Sequence, residues 1–159
     1  RDSGTGLYYR MGYHKLSISY CTIMREKKMP VLVMFIDLDR LKYINDTFGH
    51  EYGDFAIVSI AKAMLKHCDA DAIAARTGGD EFIVLEGAKD EESGRVLAQK
   101  IRTELSKTQR AMQLPFDLGA SIGAVVAHPG EENVLESYVK RAEMLMYEEK
   151  AEKKVSRDS

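Results

Sequence analysis

The chain has 159 residues, of which 45% are hydrophobic and 30% are charged, and its formal net charge is −2. This length suits a single domain, and the hydrophobic content excludes intrinsic disorder. The nearly balanced charge excludes a general attraction to nucleic acid, and no apolar run approaches the ~20 residues that span a membrane. Cys21 and Cys68 show neither a metal-ligand nor a disulfide pattern, so we expect a cytoplasmic domain with free thiols.

The apolar pattern predicts helices and strands in the order α-β-α-β-β-α-β-α. Helical spacing begins at Tyr13, and the entirely apolar run at 31–36 predicts a strand that is buried on both faces. A second amphipathic helix is expected to start near Gly53 and Asp54. The next predicted elements are short strands at 72–76 and 81–86, a helix at about 90–107, a strand at 116–128 ended by Pro129 and Gly130, and a helix from Leu135 followed by a charged tail after Lys150. Hairpin and crossover connections together predict an α/β (α+β) fold, with one mixed, mostly antiparallel sheet covered by helices.

Acidic residues lie at the ends of the predicted strands. Asp37 and Asp39 follow the apolar run, and Asp80 and Glu81 stand at the tip of the predicted hairpin. If the strand and the hairpin are neighbours in the sheet, Asp37 and Asp80 converge at one edge. Close carboxylates repel each other unless a cation lies between them, and oxygen ligands favour Mg²⁺. On spacing alone, solvated loop carboxylates remain the alternative.

Gly78 and Gly79 separate the two strands of the predicted hairpin. Paired glycines are expected to supply the positive φ of a tight turn, and this turn chemistry alone would explain them. The functional alternative is that a tip without Cβ atoms lets backbone N–H groups approach a phosphate. The run at 119–123 fits the G-x-S-x-G pattern of a hydrolase, but the apolar alternation continues beyond it, so we predict that Ser121 lies within a strand.

Two motifs together carry a family resemblance. The sequence RTGGDEF occupies 76–82, FIDLDRLKYINDTFGHEYGD occupies 35–54, and in this order they resemble the GGDEF family of diguanylate cyclases. The likeness extends to DSGTGLYYR at 2–10, SIG at 121–123 and RAEMLMYEEK at 141–150. It implies a single domain over 1–159 with a fold similar to adenylyl cyclase catalytic domains and polymerase palms. Because the first residue is Arg1, we expect the chain to be the C-terminal catalytic part of a longer protein with an N-terminal sensory or receiver region.

The resemblance also implies an activity and its residues. Members of the family condense two GTP molecules into cyclic di-GMP, with release of two pyrophosphates, across a homodimer interface. By this likeness the catalytic residues are Asp37, Asp80 and Glu81, and two Mg²⁺ or Mn²⁺ ions in each half-site are held by Asp37, the Leu38 carbonyl and Asp80. The implied substrate-binding residues are Asn45 and Asp54 at the guanine, Lys42, Lys150 and Lys154 at the terminal phosphates, and Gly78 and Gly79 beside the nucleotide.

The chain departs from the family pattern at two places that bear on function. Lys154 stands where the family commonly has Arg, so a bidentate phosphate contact becomes a point charge and we expect weaker GTP binding. Asp69 and Ala72 occupy the Arg and Asp positions of the family's product-inhibition site, so we expect no such site. The alternatives to an active cyclase are an inactive module that binds GTP or cyclic di-GMP, and a purely structural dimerisation module. We expect no contact of this domain with nucleic acid or membrane.

Overall fold

The computed structural model describes residues 1–128 and 135–158. Its strands are β1 (Tyr8–Tyr9), β2 (Val31–Leu38), β3 (Ile73–Arg76), β4 (Glu81–Gly87) and β5 (Ala120–Ala127). Its helices are α1 (Arg10–Glu26), α2 (Leu41–Phe48), α3 (His50–His67), α4 (Ser93–Ala111) and α5 (Leu135–Asp158). Within the described ranges the strands form one sheet in the order β1-β3-β4-β2-β5. The β1–β3 pair is parallel and the other neighbouring pairs are antiparallel, so the predicted mixed, mostly antiparallel sheet is confirmed.

Strand β2 lies at the centre of the core because both of its faces are apolar. All eight of its residues are buried. Its even-numbered side chains join one hydrophobic cluster, which includes residues of α3 and α4. The odd-numbered side chains Val31, Val33 and Phe35 join a second cluster, which includes residues of α1 and α5. Helices therefore cover both faces of the sheet, and Asp37 continues the row of side chains that faces α1 and α5.

Helix α5 lies very close to β5 because a glycine stands at the crossing point. A Cβ atom at Gly123 would overlap the Ala142 carbonyl oxygen and would lie 2.6 Å from the Met146 backbone nitrogen. The buried residues of α5 are Tyr138, Ala142 and Met146, one on each successive turn. This stripe directs the same face of α5 toward the end of β2, where Asp37 lies.

Several predicted boundaries were wrong. Helix α2, which contains Asn45 and Asp46, was missed. Helix α3 begins at His50, so Asp54 is in the second turn of the helix rather than at its start. Strand β1 was missed, α4 begins and ends a few residues later than predicted, and residues 116–119 precede β5. The charged segment after Lys150 is helical rather than a tail.

The predicted stop at Pro129 and Gly130 lies outside the described residues. None of the described helices combines the length and the apolar composition that crossing a membrane requires.

Candidate functional site

Three carboxylates meet where β2 ends beside the β3–β4 hairpin. Asp37 of β2 is paired in register with Glu81 of β4, and cross-strand partners place their side chains on the same face of a sheet. The Leu38 N–H donates to the Asp80 carbonyl at 2.9 Å, which extends the pairing to the hairpin tip. Carboxylate oxygens of Asp37, Asp80 and Glu81 all lie within 4.8 Å of one another. The predicted convergence of Asp37 and Asp80 is therefore found in the fold.

The hairpin tip keeps its shape without left-handed glycines. Neither Gly78 nor Gly79 has a φ in the positive region, so the prediction of positive φ was wrong. Instead, the guanidinium of Arg76 donates to the Gly78 carbonyl at 3.1 Å and to the Gly79 carbonyl at 2.8 Å, and the Thr77 N–H donates to the Glu81 carbonyl. A Cβ at Gly78 would lie 3.2 Å from Glu81 Oε2, whereas one at Gly79 would meet no heavy atom within 4 Å. The outer side of Gly79 is thus open to a molecule that approaches the backbone.

Burial makes the Asp37 carboxylate unusually basic. The residue is only 5% exposed, and this burial raises the pKa of Asp37 to about 7, against the opposing charge of Lys150 and with a smaller contribution from Asp80. Burial also raises the pKa of Glu81, and the charges of Asp80 and Glu143 add to this effect. Both carboxyl groups therefore keep a proton more readily than ordinary acidic side chains, and a cation beside them would favour their charged forms.

The side-chain ammonium of Lys150 lies at this cluster. Lys150 Nζ is 2.9 Å from Asp37 Oδ1 and donates to the Leu38 carbonyl at 3.1 Å. Asp37 Oδ1 is buried and has no aligned hydrogen bond from any described residue, so the contact with Lys150 is one of charge rather than of directed bonding. A buried carboxylate oxygen without a hydrogen bond, a neighbouring carbonyl and two further carboxylates form an oxygen donor set that fits a divalent cation. In this structure the ammonium of Lys150 supplies the positive charge beside these oxygen atoms.

A second group of predicted residues lies at the corner between α2 and α3. A Cβ at Gly53 would overlap Asn45 Oδ1 and lie 2.7 Å from Asn45 Cγ, so the Asn45 side chain rests directly against the glycine. Asp54 follows Gly53 and is exposed. The corner is made by Gly49, whose φ of 102° is a conformation that favours glycine. The amide of Asn45 and the carboxylate of Asp54 thus both belong to this corner of the fold. No contact among the described residues joins them to the acidic cluster.

Cationic side chains surround a cleft of about 200 Å³ beside the acidic cluster. The residues lining it include Asp39 and the cations of Arg40, Lys150, Lys153, Lys154 and Arg157. Arg40 was not predicted as a site residue; it has a left-handed backbone, with a φ of 58°, and its guanidinium lies 3.9 Å above the Tyr43 ring. Lys42 is exposed on α2 and is not among the residues that line this cleft. Of the three predicted phosphate-binding lysines, the cleft brings Lys150 and Lys154 together.

Ser121 is part of the scaffold of the site. It is fully buried at the start of β5, as its predicted position within a strand requires, and its hydroxyl donates to Asp39 Oδ1 at 2.7 Å. Lys153 Nζ lies 2.6 Å from Asp39 Oδ2, a pair that the sequence did not reveal because its two members are 114 residues apart. Because Ser121 is fully buried in the sheet and its hydroxyl is engaged by Asp39, we assign it a structural role and not that of a nucleophile.

The chain matches one family over nearly its whole length. The profile described as "Diguanylate cyclase, GGDEF domain" matches residues 1–156. The chain is 36% identical to the probable diguanylate cyclase DgcT of Escherichia coli K12 over 154 residues, covering 94% of the chain and 33% of the relative. It is 33% identical to the diguanylate cyclase VdcA of Vibrio cholerae over 153 residues, covering 94% of the chain and 43% of the relative. The chain thus spans less than half the length of these relatives.

Solved structures agree with this likeness. The GGDEF domain of DgcB from Caulobacter crescentus, in complex with c-di-GMP, superposes with a TM-score of 0.79 at 27% identity, covering 94% of this chain and 89% of that one. The diguanylate cyclase SiaD from Pseudomonas aeruginosa, in complex with its activator SiaC, gives a TM-score of 0.76 at 28% identity, covering 96% of this chain and 58% of that one. With its five-stranded sheet, its GGDEF hairpin and its cluster of three carboxylates, the chain belongs to the GGDEF family of diguanylate cyclase domains.

Proposed function

We propose that this chain is an active diguanylate cyclase, which condenses two GTP molecules into cyclic di-GMP and releases two pyrophosphates. The observation that carries the proposal is the cluster of Asp37, Asp80 and Glu81, whose carboxylate oxygens lie within 4.8 Å of one another. Repulsion between these charges costs stability unless a cation lies between them, so the cluster favours a metal-dependent nucleotide site over a purely structural module.

Metal ions have a fitting donor set in this cluster. Asp37, the Leu38 carbonyl and Asp80 would hold two Mg²⁺ or Mn²⁺ ions in each half-site, which when bound polarise the α-phosphate and lower the pKa of the attacking 3′-hydroxyl. Glu81 adds a further negative charge beside Asp80. In each half-reaction the 3′-oxygen loses its proton and forms a bond to the α-phosphorus of the other GTP, while the bond to pyrophosphate breaks. Two such steps close the cyclic dinucleotide.

Asn45 and Asp54 are the proposed guanine ligands. What supports this proposal is that the Asn45 side chain rests against Gly53, the residue that directly precedes Asp54. A carboxylate can accept hydrogen bonds from N1–H and from the 2-amino group of guanine, whereas adenine has no such pair of donors on that edge. Asp54 would therefore select GTP over ATP.

Lys150, Lys154 and Lys42 are the proposed ligands of the terminal phosphates of GTP. Lys150 and Lys154 line the cationic cleft beside the acidic cluster, and Lys42 would reach the same phosphates from α2. Lys154 supplies a point charge rather than a bidentate guanidinium, which weakens this contact.

Gly79 is free of neighbours on the side where a Cβ would stand, which leaves room for the nucleotide beside the hairpin tip.

Catalysis requires two copies of the domain. Each protomer would hold one GTP, and the two active sites must face each other so that each 3′-hydroxyl meets the other α-phosphate. In a longer protein, an N-terminal sensory or receiver region would control this encounter.

Both cysteines are free thiols, which suits a reducing cytoplasm.

Product inhibition through the family's usual site is not expected. Asp69 and Ala72 stand where the phosphate-binding Arg and the Asp would be needed, and the Asp69 N–H is already engaged with Glu86 at 2.9 Å. Negative charge at Asp69 and Asp71 would repel the phosphates of cyclic di-GMP. Tight, saturable binding of cyclic di-GMP at this surface would contradict the proposal.

The test is product formation from GTP. The chain is fused to a constitutive dimerisation domain and incubated with GTP and Mg²⁺, and the nucleotides are separated by chromatography and identified by mass spectrometry. We expect cyclic di-GMP and pyrophosphate from the wild type and none from Asp80→Ala, with unchanged circular dichroism. Asp54→Ala should instead reduce the preference for GTP over ATP.

The alternatives give different results in the same experiment. A regulatory module would bind GTP or cyclic di-GMP but make no product even as a forced dimer. A structural dimerisation module would show no change in any nucleotide property when Asp80 is replaced. Equal product from the wild type and Asp80→Ala would disprove the role of Asp80 as a metal ligand.

A further inference from the structure

The last turns of α5 are not held by apolar packing. Its buried residues, Tyr138, Ala142 and Met146, recur every fourth position, and the same stripe continues with Lys150 and Lys154. None of the described residues of α5 after Met146 is buried. The hydrophobic core therefore ends just before the two lysines that face the acidic cluster and the cationic cleft. Their positions must depend on polar contacts.

Lys153 makes the strongest of these contacts. Its ammonium donates to Asp39 Oδ2 at 2.6 Å and to the Ala120 carbonyl at 2.8 Å, and it lies 3.5 Å from Glu149 Oε1. Two of the three N–H groups of this ammonium are therefore engaged by hydrogen bonds, and the charge of Glu149 lies beside it. Lys153 is thus committed to the protein itself, although it lines the same cleft as Lys150 and Lys154.

Asp39 is equally committed, and it joins α5 to the strand ends that build the site. Its Oδ1 accepts from the Ser121 hydroxyl at 2.7 Å, its Oδ2 accepts from Lys153, and its N–H donates to the Gly119 carbonyl at 2.9 Å. Asp39 directly follows Leu38, whose carbonyl accepts from Lys150. One carboxylate therefore connects the end of β2, the start of β5 and the penultimate turns of α5.

We propose that Asp39 and Lys153 are positioning residues of the cyclase site. Their ion pair sets how α5 lies over the ends of β2 and β5, and so places Lys150 beside Asp37 and Lys154 at the cleft where the triphosphate binds. This inference rests on the proposed function, because that function assigns Lys150 and Lys154 to the phosphates. Neither Asp39 nor Lys153 touches the reacting atoms. The pair is partly buried, with side-chain exposures of 35% for Lys153 and 15% for Asp39, but it lies beyond the last buried residue of α5, Met146. It should therefore act on nucleotide binding more than on unfolding.

Three variants and one matched control test this role in the dimerised chain. The variants are Lys153→Met, Asp39→Asn and the double substitution, and the control is Glu152→Gln, which changes an exposed charge on the neighbouring position of α5. The first readout is the dissociation constant of a GTP analogue with a methylene group between its α- and β-phosphorus atoms, in the presence of Mg²⁺. The second is amide hydrogen exchange over residues 147–158, measured without nucleotide.

We expect each single substitution to weaken binding of the analogue about tenfold and to speed exchange in the last turns of α5. The double substitution should be no worse than the more severe single one, because both remove the same contact. Lys153→Arg should restore part of the binding, and Glu152→Gln should change neither readout. This arginine variant also keeps the test open if Lys153→Met does not fold.

Contrary outcomes are distinguishable. Unchanged exchange and unchanged binding in both single variants would overturn the positioning role, and so would additive losses in the double variant. If the wild type itself does not bind the analogue, the proposed function fails and the inference fails with it. If the wild type binds the analogue and the variants bind it equally well, only the inference is lost.

Discussion

Lys150 Nζ lies 2.9 Å from Asp37 Oδ1 and donates to the Leu38 carbonyl at 3.1 Å, so an internal cation stands between the two groups proposed to bind metal. A divalent ion must compete with this ammonium. We therefore expect Lys150→Met to tighten Mn²⁺ binding about tenfold without nucleotide, equivalent to ~1.4 kcal/mol, and to weaken GTP binding. The measurement is titration calorimetry. Loss of the ammonium raises the pKa of Asp37 further, so the titration is done at pH 8.5 to keep this carboxylate ionised.

Lys154→Met is the matched control for this prediction. It removes the same charge one turn later on α5, and Lys154 has no contact with Asp37. It should weaken GTP binding and leave the Mn²⁺ affinity as it was. An unchanged Mn²⁺ affinity in Lys150→Met would show that the ammonium does not compete with the metal.

Gly53→Ala should damage guanine binding while the fold survives. The new Cβ would overlap Asn45 Oδ1, which is at the end of a flexible side chain and can swing away. Alanine is also favoured over glycine in a helix by about 1 kcal/mol. We expect a melting temperature within a few degrees of the wild type and a GTP dissociation constant raised about tenfold.

The control for Gly53→Ala is Gly12→Ala in α1. A Cβ there would lie 3.6 Å from the Tyr8 ring, an ordinary contact that requires no movement. It should leave GTP binding unchanged. Equal GTP affinity in Gly53→Ala and the wild type would argue against Asn45 as a guanine ligand.

Gly123→Ala should destabilise the domain itself. Its Cβ would strike the Ala142 carbonyl oxygen and the Met146 nitrogen, and backbone atoms of a helix cannot rotate away as a side chain can. We expect a loss of about 3 kcal/mol in the free energy of unfolding, measured with urea. Gly79→Ala, which would meet no heavy atom within 4 Å, should stay within about 0.5 kcal/mol of the wild type.

Glu86→Gln should stabilise the protein at alkaline pH. Glu86 is 8% exposed, and burial raises its pKa, helped by the charges of Asp69 and Asp71 and opposed by the hydrogen bond from the Asp69 N–H. A folded-state pKa above the unfolded value means that stability is lost as pH rises through the folded pKa. Glutamine keeps an acceptor for the Asp69 N–H without the charge. Its melting temperature should exceed that of the wild type at pH 8, and the difference should shrink toward pH 4.

Glu104→Gln provides a control of opposite sign. The hydrogen bond from Lys66 and the neighbouring imidazole of His67 lower the pKa of Glu104, so its carboxylate supports the fold at neutral pH and this support is lost on acidification. Glu104→Gln should therefore melt below the wild type at pH 7 and converge with it in acid. Identical pH profiles for the two variants would refute at least one of the two assignments.

Predictions from the sequence succeeded where a local pattern decides the structure. The apolar run at 31–36 is short and rich in β-branched residues, which favours a buried strand, and the two glycines at 77–80 between short apolar runs favour a turn. The carboxylates at these two ends then meet, because the fold makes the strands neighbours. Long periodic helices such as α1 and α5 were also predicted, although the true extent of α5 was not.

Other features depend on contacts that no local pattern contains. Helix α2 has eight residues and one buried side chain, Ile44, and helices this short are marginal alone, so its residues resembled a loop. Strand β1 has two residues and exists only because it pairs with β3. The tip glycines need no positive φ because Arg76 holds their carbonyls. Lys153 and Asp39 meet only after α5 has packed across the sheet.

The polar contacts of α5 also decide how two copies of this domain can associate. Strand β5 pairs with β2 and is the outermost strand of the described sheet on that side. Its outer edge is occupied: the Ile122 N–H donates to Glu149 Oε2 at 2.6 Å, and the Ala120 carbonyl accepts from Lys153. A strand from another molecule would have to displace both side chains before it could pair there. These contacts therefore disfavour the joining of two sheets edge to edge along β5, and they leave the surfaces proposed to bind nucleotide available for the proposed dimer.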